Sequence, residues 1–372
     1  MRTAIISDLH LGSACGEDLL RDAGIRQVLF EEIATAERVV LLGDVLELRE
    51  LPLAVTLESS RPFFEELGSA LAGRPIVFVP GNHDHRLAEP LLEQTALAAQ
   101  PLGFEQHAAG STDATTRIEG WLGDAELEVA YPGVWLRDDV YATHGHYMDC
   151  HMTLPRLECI AAAAMMRRFG TLPTPATPAD YEQTLRPLYG FSFSLAQSGL
   201  AQQATRPSER AWRAISSRNG TSSRARRAAL GAAIKAGIPA TVWSINHLLR
   251  AGFSADLSPT AITASGVSAA MQMTERLEIR ASHVITGHTH RAGPNEDDGE
   301  WALPSEGSLH NTGSWVFSSA FHHPGTPPGP YWPGTVTWLE DDKPPRRVRL
   351  LIEHPRNELK ATVRRLSFKA KR

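Results

Sequence analysis

The sequence predicts an α/β layered fold. Short apolar runs that read as buried strands alternate with helical runs over roughly the first 147 residues, and a strand-like run returns at Ser282. Five of these runs are followed at once by residues of the Asp, Asn or His type, and in an open α/β sheet the strand carboxyl ends converge on one crevice. A length of 372 residues suits two domains, or one domain with a large insertion.

Taken in order, Thr3–Ser7 is expected as a strand, Asp18–Ala34 as a helix, Arg38–Leu42 as a strand, Pro62–Ala72 as a helix, Pro75–Val79 as a strand and Leu87–Ala99 as a helix. Glu126–Ala130 and Val134–Leu136 read as the arms of a hairpin turning near Pro132-Gly133, and Val140–Thr143 as the next strand. From Cys150 the chain becomes rich in Ala, Arg and Ser, with helical runs at Leu157–Arg168 and Arg224–Lys235. Thr171–Pro178 reads as a linker and Asn219-Gly220-Thr221 as a break. The core resumes with Ser282–Thr286 and finishes as β structure at Asn311–Ser318, Gly334–Leu339 and Arg347–Ile352. The expected division is a core at 1–149, a helical insertion at 150–281, the rest of the core at 282–363 and a basic tail at 364–372.

The net charge is -5, unevenly spread: Cys150–Ser282 holds 15 Arg or Lys against 7 Asp or Glu, a net of +8, which leaves -13 for the remainder. The first residues already form a motif-bearing strand, so no cleavable signal peptide is expected. No apolar run is long enough for a membrane span. Cys15, Cys150 and Cys159 show no framework spacing, which fits a reduced, cytoplasmic compartment.

The residues after the strands are Asp8-Leu9-His10, Gly43-Asp44, Gly81-Asn82-His83-Asp84, His144-Gly145-His146 and Gly287-His288-Thr289-His290. Carboxylate, imidazole and a neutral amide oxygen together suit Mn²⁺, Fe or Zn²⁺. Extended alternation would put Asp8 and His10 on one side of the chain, able to reach one ion together, and His288 and His290 likewise beside neighbouring ions. Asp44, alone after its strand, is the bridging candidate. Two ions roughly 3.5–4 Å apart would hold a phosphate ester, with a water or hydroxide between them as nucleophile.

This ordered set resembles the calcineurin-like metallophosphoesterase family. The resemblance implies a four-layer α/β/β/α sandwich with an inserted helical cap, and two divalent ions, Mn²⁺ first with Fe or Zn²⁺ as alternatives. It implies Asp8, His10, Asp44 and His290 on one metal and Asp44, Asn82, His144 and His288 on the other. His83 would serve the leaving oxygen, and Asp84 would hydrogen-bond His83 and fix its tautomer. Ser7-Asp8-Leu9-His10-Leu11 and Gly43-Asp44-Val45-Leu46-Glu47 are similar to the UDP-2,3-diacylglucosamine pyrophosphohydrolase branch, although His83 stands where that branch places arginine and the insertion is longer.

Further residues admit two readings each. His146 is either a substrate contact or structural, and Asn311 either a substrate contact or part of a packed turn with Gly313 and Trp315. Glu47 either bonds a ligand or favours a helix terminus. His85 is expected as a surface or capping residue and Cys150 as a structural thiol. The basic insertion reads as a solvated surface, as a cap whose Arg167, Arg168, Arg224, Arg226 and Arg227 bind an anionic substrate, or as helices on an anionic membrane, an option kept open by Phe191, Phe193, Leu195, Trp212 and Trp243. No base-reading motif points to nucleic acid. The expected activity is hydrolysis of a phosphorylated small-molecule or lipid-linked substrate. The alternatives are a pyrophosphohydrolase of a nucleotide-linked lipid or sugar, and a non-catalytic protein-binding scaffold.

Overall fold

The computed structural model describes residues 1–108, 112–198, 237, 239–318, 322 and 327–369. Its fold is mixed α/β around a curled sheet. Strands β1 (Arg2–Ile6), β2 (Arg38–Leu42) and β3 (Ile76–Val79) run parallel, and β3 pairs in parallel with the start of β5 (Leu127–Arg137). The far half of β5 pairs antiparallel with β6 (Val140–Thr143), which continues in parallel through β7 (His283–Thr286) to β8 (Ser308–Asn311). The short β4 (Glu105–His107) pairs with the middle of β5, while β9 (Thr335–Glu340) and β10 (Arg346–Arg349) extend the edge beyond β1.

Past their first residues, β1, β2 and β3 are continuous apolar runs because both faces are covered. Ile5, Val40, Leu42, Val77 and Val79 meet Val134, Leu136, Ala142 and Ile285 of the other half of the sheet in one apolar cluster. The alternate residues Ala4, Ile6, Val39, Leu41 and Phe78 join a second cluster with α1 (Ala23–Ile33), α2 (Leu53–Leu71) and α4 (Asp113–Leu122). A third joins Tyr141, Val284 and Leu309 to α5 (Leu157–Phe169), α6 (Pro178–Gln197) and α7 (Pro259–Arg276). The helices following β6 therefore share a core with the sheet. The helix α3 (Glu89–Leu97) and a helical stretch at 239–249 complete this part.

Several elements differ from expectation. Pro62 lies inside α2, which begins nine residues earlier at Leu53. A helix-start reading of proline failed because the buried Thr56, Leu57 and Ser60 extend the packed face N-terminally. The anticipated turn at Pro132-Gly133 is the middle of β5, where the strand passes from one half of the sheet to the other. Gly133 is needed there because a Cβ would overlap the Tyr141 hydroxyl. Only the start of Asn311–Ser318 is strand. Arg364 and Arg365 continue a helix, α8 (Arg356–Lys369), held by the buried Leu359 and Leu366. The run Arg224–Lys235 and Trp212 lie outside the described residues.

Candidate metal centre

The strand ends deliver their side chains to one crevice by leaving the extended conformation. Asp8, His10, Asp44, His288 and His290 have φ of 54°, 46°, 51°, 67° and 60°, in the left-handed region that few L-residues adopt. Asp8 and His10 thus converge through left-handed turns, and the pleat alternation expected for them does not apply. Each such residue stores about 1–2 kcal/mol of backbone strain, and strain of this kind concentrates at functional sites. Gly43 and Gly81 let the turns close up: a Cβ on Gly43 would overlap the His144 ring, and one on Gly81 would overlap Asp44.

Three groups of ligand atoms result, each within 4.8 Å: Asp8, His10 and His290; His10, Asp44 and His83; and Asp44, His144 and His288. Asp44 Oδ2 lies 3.2 Å from His144 Nε2, 3.6 Å from His10 Nε2 and 3.9 Å from His83 Nε2. The terminus of the Asn82 amide lies 3.2 Å from Asp44 Oδ2 and 3.3 Å from His288 Nδ1. With its oxygen there, acceptors face one another around a space that suits a cation; with its nitrogen there, it donates to both, and its oxygen accepts from Arg49 Nη1 at 3.0 Å. His10 Nε2 and His290 Nε2 also face each other at 3.1 Å.

The electrostatics carry the same demand for positive charge. Burial would lower the His10 pKa, but its bond to Glu47 and the charges of Asp44, Glu47 and Asp8 raise it to about 9. Burial likewise opposes protonation of His144, and Asp44 overcomes it, raising the pKa to about 10. Burial, helped by the charge of Asp44, pushes Asp8 up. Against the opposing effect of burial, His144 and His83 hold Asp44 well below the usual carboxylate range. Hard oxygen and imidazole donors around buried carboxylates fit divalent cations.

The outer partners fix each ring. His144 Nδ1 donates to the Leu42 carbonyl at 3.0 Å, leaving Nε2 for the crevice. His288 Nε2 bonds Asp149 Oδ1 at 2.9 Å, leaving Nδ1. Glu47 Oε2 bonds both His10 Nδ1 at 3.0 Å and His83 Nδ1 at 2.7 Å. This corrects the role expected for Asp84. Its carboxylate accepts from the backbone N–H groups of Val45 at 2.7 Å, Leu46 at 3.1 Å and Gly81 at 2.7 Å, so it binds the β2 and β3 loops together and leaves His83 to Glu47. Burial, then the charge of Asp44, raises Asp84 to about 6.

The substrate-facing residues divide differently from expectation. Arg167 and Arg168 end α5 on the exposed surface and line no part of the cavity beside the ligands. Arg156, the residue immediately before that helix, does line it, together with His10, His288 and His290. Asn311 also borders the cavity, but its amide donates to the Gly287 carbonyl at 2.6 Å and Thr289 Oγ1 at 3.1 Å, while its oxygen accepts from Gly313 N at 3.0 Å. It therefore braces the loop of His288 and His290. His85 is buried, not superficial, with Nε2 at 2.9 Å from Glu182 Oε2. His146 is buried too, 3.0 Å from the Tyr131 hydroxyl, and burial, aided by the charge on His144, lowers its pKa well below the usual value. Glu182 of α6 accepts from the hydroxyls of Tyr131 and Tyr147, tying this helix to the core.

Arg49 and Asp149 had not been singled out from the sequence. Arg49 Nη1 lies 3.2 Å from His83 Nε2, and Arg49 Nη2 donates to Glu158 Oε1 at 3.1 Å. Their signal was nearness in sequence, five residues past Asp44 and past His144 respectively.

The family described as calcineurin-like phosphoesterase matches residues 1–202. That span carries the first four blocks, while His288 and His290 come from beyond it. No curated protein matches the chain. Among solved structures, a cold-active protein tyrosine phosphatase of a psychrophilic Shewanella aligns at 12% identity and a TM-score of 0.31, covering 94% of this chain and 78% of that one. A point mutant of a cold-active protein tyrosine phosphatase aligns at 13% identity and a TM-score of 0.27, with the same coverages of 94% and 78%. Neither likeness bears on the assignment. No helix among the described residues is long and apolar enough to cross a membrane. Since the matched span exceeds half of the chain, this protein belongs to the calcineurin-like phosphoesterase family, whose activity is hydrolysis of phosphate esters.

Proposed function

We propose that the protein is a two-metal phosphoesterase, with Asp8, His10, Asp44 and His290 holding one ion and Asp44, Asn82, His144 and His288 the other. The observation that carries this reading is Asp44 Oδ2, set between His144 on one side and His10 on the other. When bound, the ions would polarise the phosphoryl oxygens and supply an activated water. Mn²⁺ is the first choice, with Fe or Zn²⁺ as alternatives, because mixed carboxylate, amide and imidazole donors suit all three.

The chain's own groups do the rest. Glu47 holds the Nδ1 proton of His83, so Nε2 faces the crevice beside the guanidinium of Arg49. There His83 is the group that meets the leaving oxygen, and Arg49 adds a cation for developing charge. Arg156 faces the cavity from the opposite chain segment and suits a phosphoryl oxygen. In this reading the sheet halves and their outer helices form an α/β/β/α sandwich, and 150–281 acts as a cap in a cytoplasmic enzyme. A second reading, a pyrophosphohydrolase of a lipid-linked substrate, is favoured by the apolar wall of the same cavity.

The test is Mn²⁺-dependent hydrolysis of bis-p-nitrophenyl phosphate, with Asp44→Asn as paired control. Turnover should fall by more than about 100-fold in the variant, since both ions lose a ligand. An Asp44→Asn protein that keeps its metal stoichiometry and its rate would overturn the assignment. Metal-loaded wild type that turns over no phosphate ester would favour the scaffold reading.

A further inference from the structure

The cavity beside the ligands has a volume of about 580 Å³, within the range of small-molecule sites. Its charged and imidazole lining comprises His10, His288, His290, Arg156 and Arg291 together with Glu17, Glu47 and Glu50. Its apolar lining includes Met148, Met152, Leu154, Ile262, Val267 and Trp301. Met148, Met152, Leu154 and Trp301 are almost fully buried members of the core beneath the helices, whereas Ile262 and Val267 are only partly covered. Ile262, Gly266 and Ala270 follow one another at four-residue spacing along α7, so one face of that helix borders the cavity.

We propose that the substrate, on the phosphoesterase reading above, is a phosphate ester of an aliphatic alcohol whose hydrocarbon chain lies along this face of α7. The imidazoles and Arg156 suit the phosphate of such a molecule, and the apolar face of α7 suits its hydrocarbon chain. The α7 face formed by Ile262, Gly266 and Ala270 offers no side-chain partner to the hydroxyls of a sugar or nucleoside, and the amide of Asn311 is committed to the Gly287 loop. Two methionines and a tryptophan provide adaptable contacts for methylenes.

Gly266 gives a direct probe. A Cβ there would meet only Thr289 Cγ2, at an ordinary 3.5 Å, and a helix interior favours leucine over glycine. Gly266→Leu would therefore fill the slot from a helix that still forms, and Ile262→Gln would make its wall polar at a partly exposed position.

The experiment compares p-nitrophenyl methyl phosphate with p-nitrophenyl octyl phosphate, below the micellar concentration, using the full-length Mn²⁺-loaded protein. Wild type should prefer the octyl ester by at least about tenfold in kcat/KM, given about fourfold per fully buried methylene. Each variant should bring the octyl-to-methyl ratio close to one while retaining its metal content. Calorimetric binding of octyl phosphate against methyl phosphate should show the same preference and the same loss. Equal kcat/KM for both esters in wild type would overturn the slot and leave the phosphoesterase reading intact, as would a ratio unchanged in both variants. If neither ester is hydrolysed, calorimetry decides alone: a preference lost in the variants supports the slot, and equal affinities overturn it.

Discussion

At the residue scale, Glu47 organises more of the site than any motif residue outside the ligands. One oxygen serves His10 and His83, and the other accepts from the backbone N–H of Arg49 at 3.1 Å. Glu47→Gln keeps the shape but turns one of these acceptors into a donor, so either the two imidazoles or the Arg49 backbone loses its partner. We expect kcat/KM to drop by about 10- to 100-fold, with metal affinity weakened if His10 holds an ion as proposed. Steady-state kinetics and metal titration by calorimetry check this; wild-type values in both would show that Glu47 does not orient the rings. The Asp and His residues that gather in the crevice were legible in the sequence, since each follows a strand in a short motif. The partner of His83 was not, because adjacency suggested Asp84, whose side chain turns to the backbone of two loops.

At the element scale, α2 and α4 approach so closely at Gly68 that a Cβ would overlap the Leu122 carbonyl oxygen. Gly68→Ala should therefore lower stability by about 1–3 kcal/mol despite the better helix propensity of alanine. Chemical denaturation would reveal it, and a stabilised variant would mean that the helices separate freely. A second contact joins α6 to the turn after β6: the Tyr181 hydroxyl and His151 Nε2 are hydrogen-bonded at 2.7 Å. Burial, with a smaller effect from Arg276, lowers the His151 pKa from 6.5 to about 4. The unfolded state then binds more protons between these values. The stabilisation is complete above pH 6.5 and disappears as pH falls toward 4, with a slope of about 1.4 kcal/mol per unit. His310, which burial and then His283 lower to about 3, acts in the same direction. His151→Gln can still accept from Tyr181 without titrating, so urea midpoints at pH 7 and pH 5 should differ less in the variant. An unchanged difference would remove His151 from the acid response.

At the scale of the whole molecule, the crevice gathers residues from Asp8 to His290, drawn from both halves of the sheet. Ions bound there would tie β1, β2, β6 and β7 together at their ends. Binding to the folded state alone, Mn²⁺ at about 100 times its Kd should stabilise the protein by about 2.7 kcal/mol per site. Tm should therefore rise with Mn²⁺ and fall with a chelator, and the difference should shrink in Asp44→Asn. Equal Tm values with Mn²⁺ and with chelator would argue against ion binding at these strand ends.

The sequence by itself determined the α/β class, the strands from Thr3 to Val79 and the Asp, Asn and His residues that end them, because buried strands and the polar residues ending them are local patterns. It misread Pro132-Gly133, since a strand that serves two halves of a sheet has the same local composition as a turn. Only the tertiary structure decided that five Asp and His residues gather with left-handed backbone at one crevice, that Glu47 rather than Asp84 serves His83, and that α7 borders the cavity beside them. Those facts depend on which distant segments meet, and burial and hydrogen bonding between segments tens to hundreds of residues apart leave little trace in local sequence.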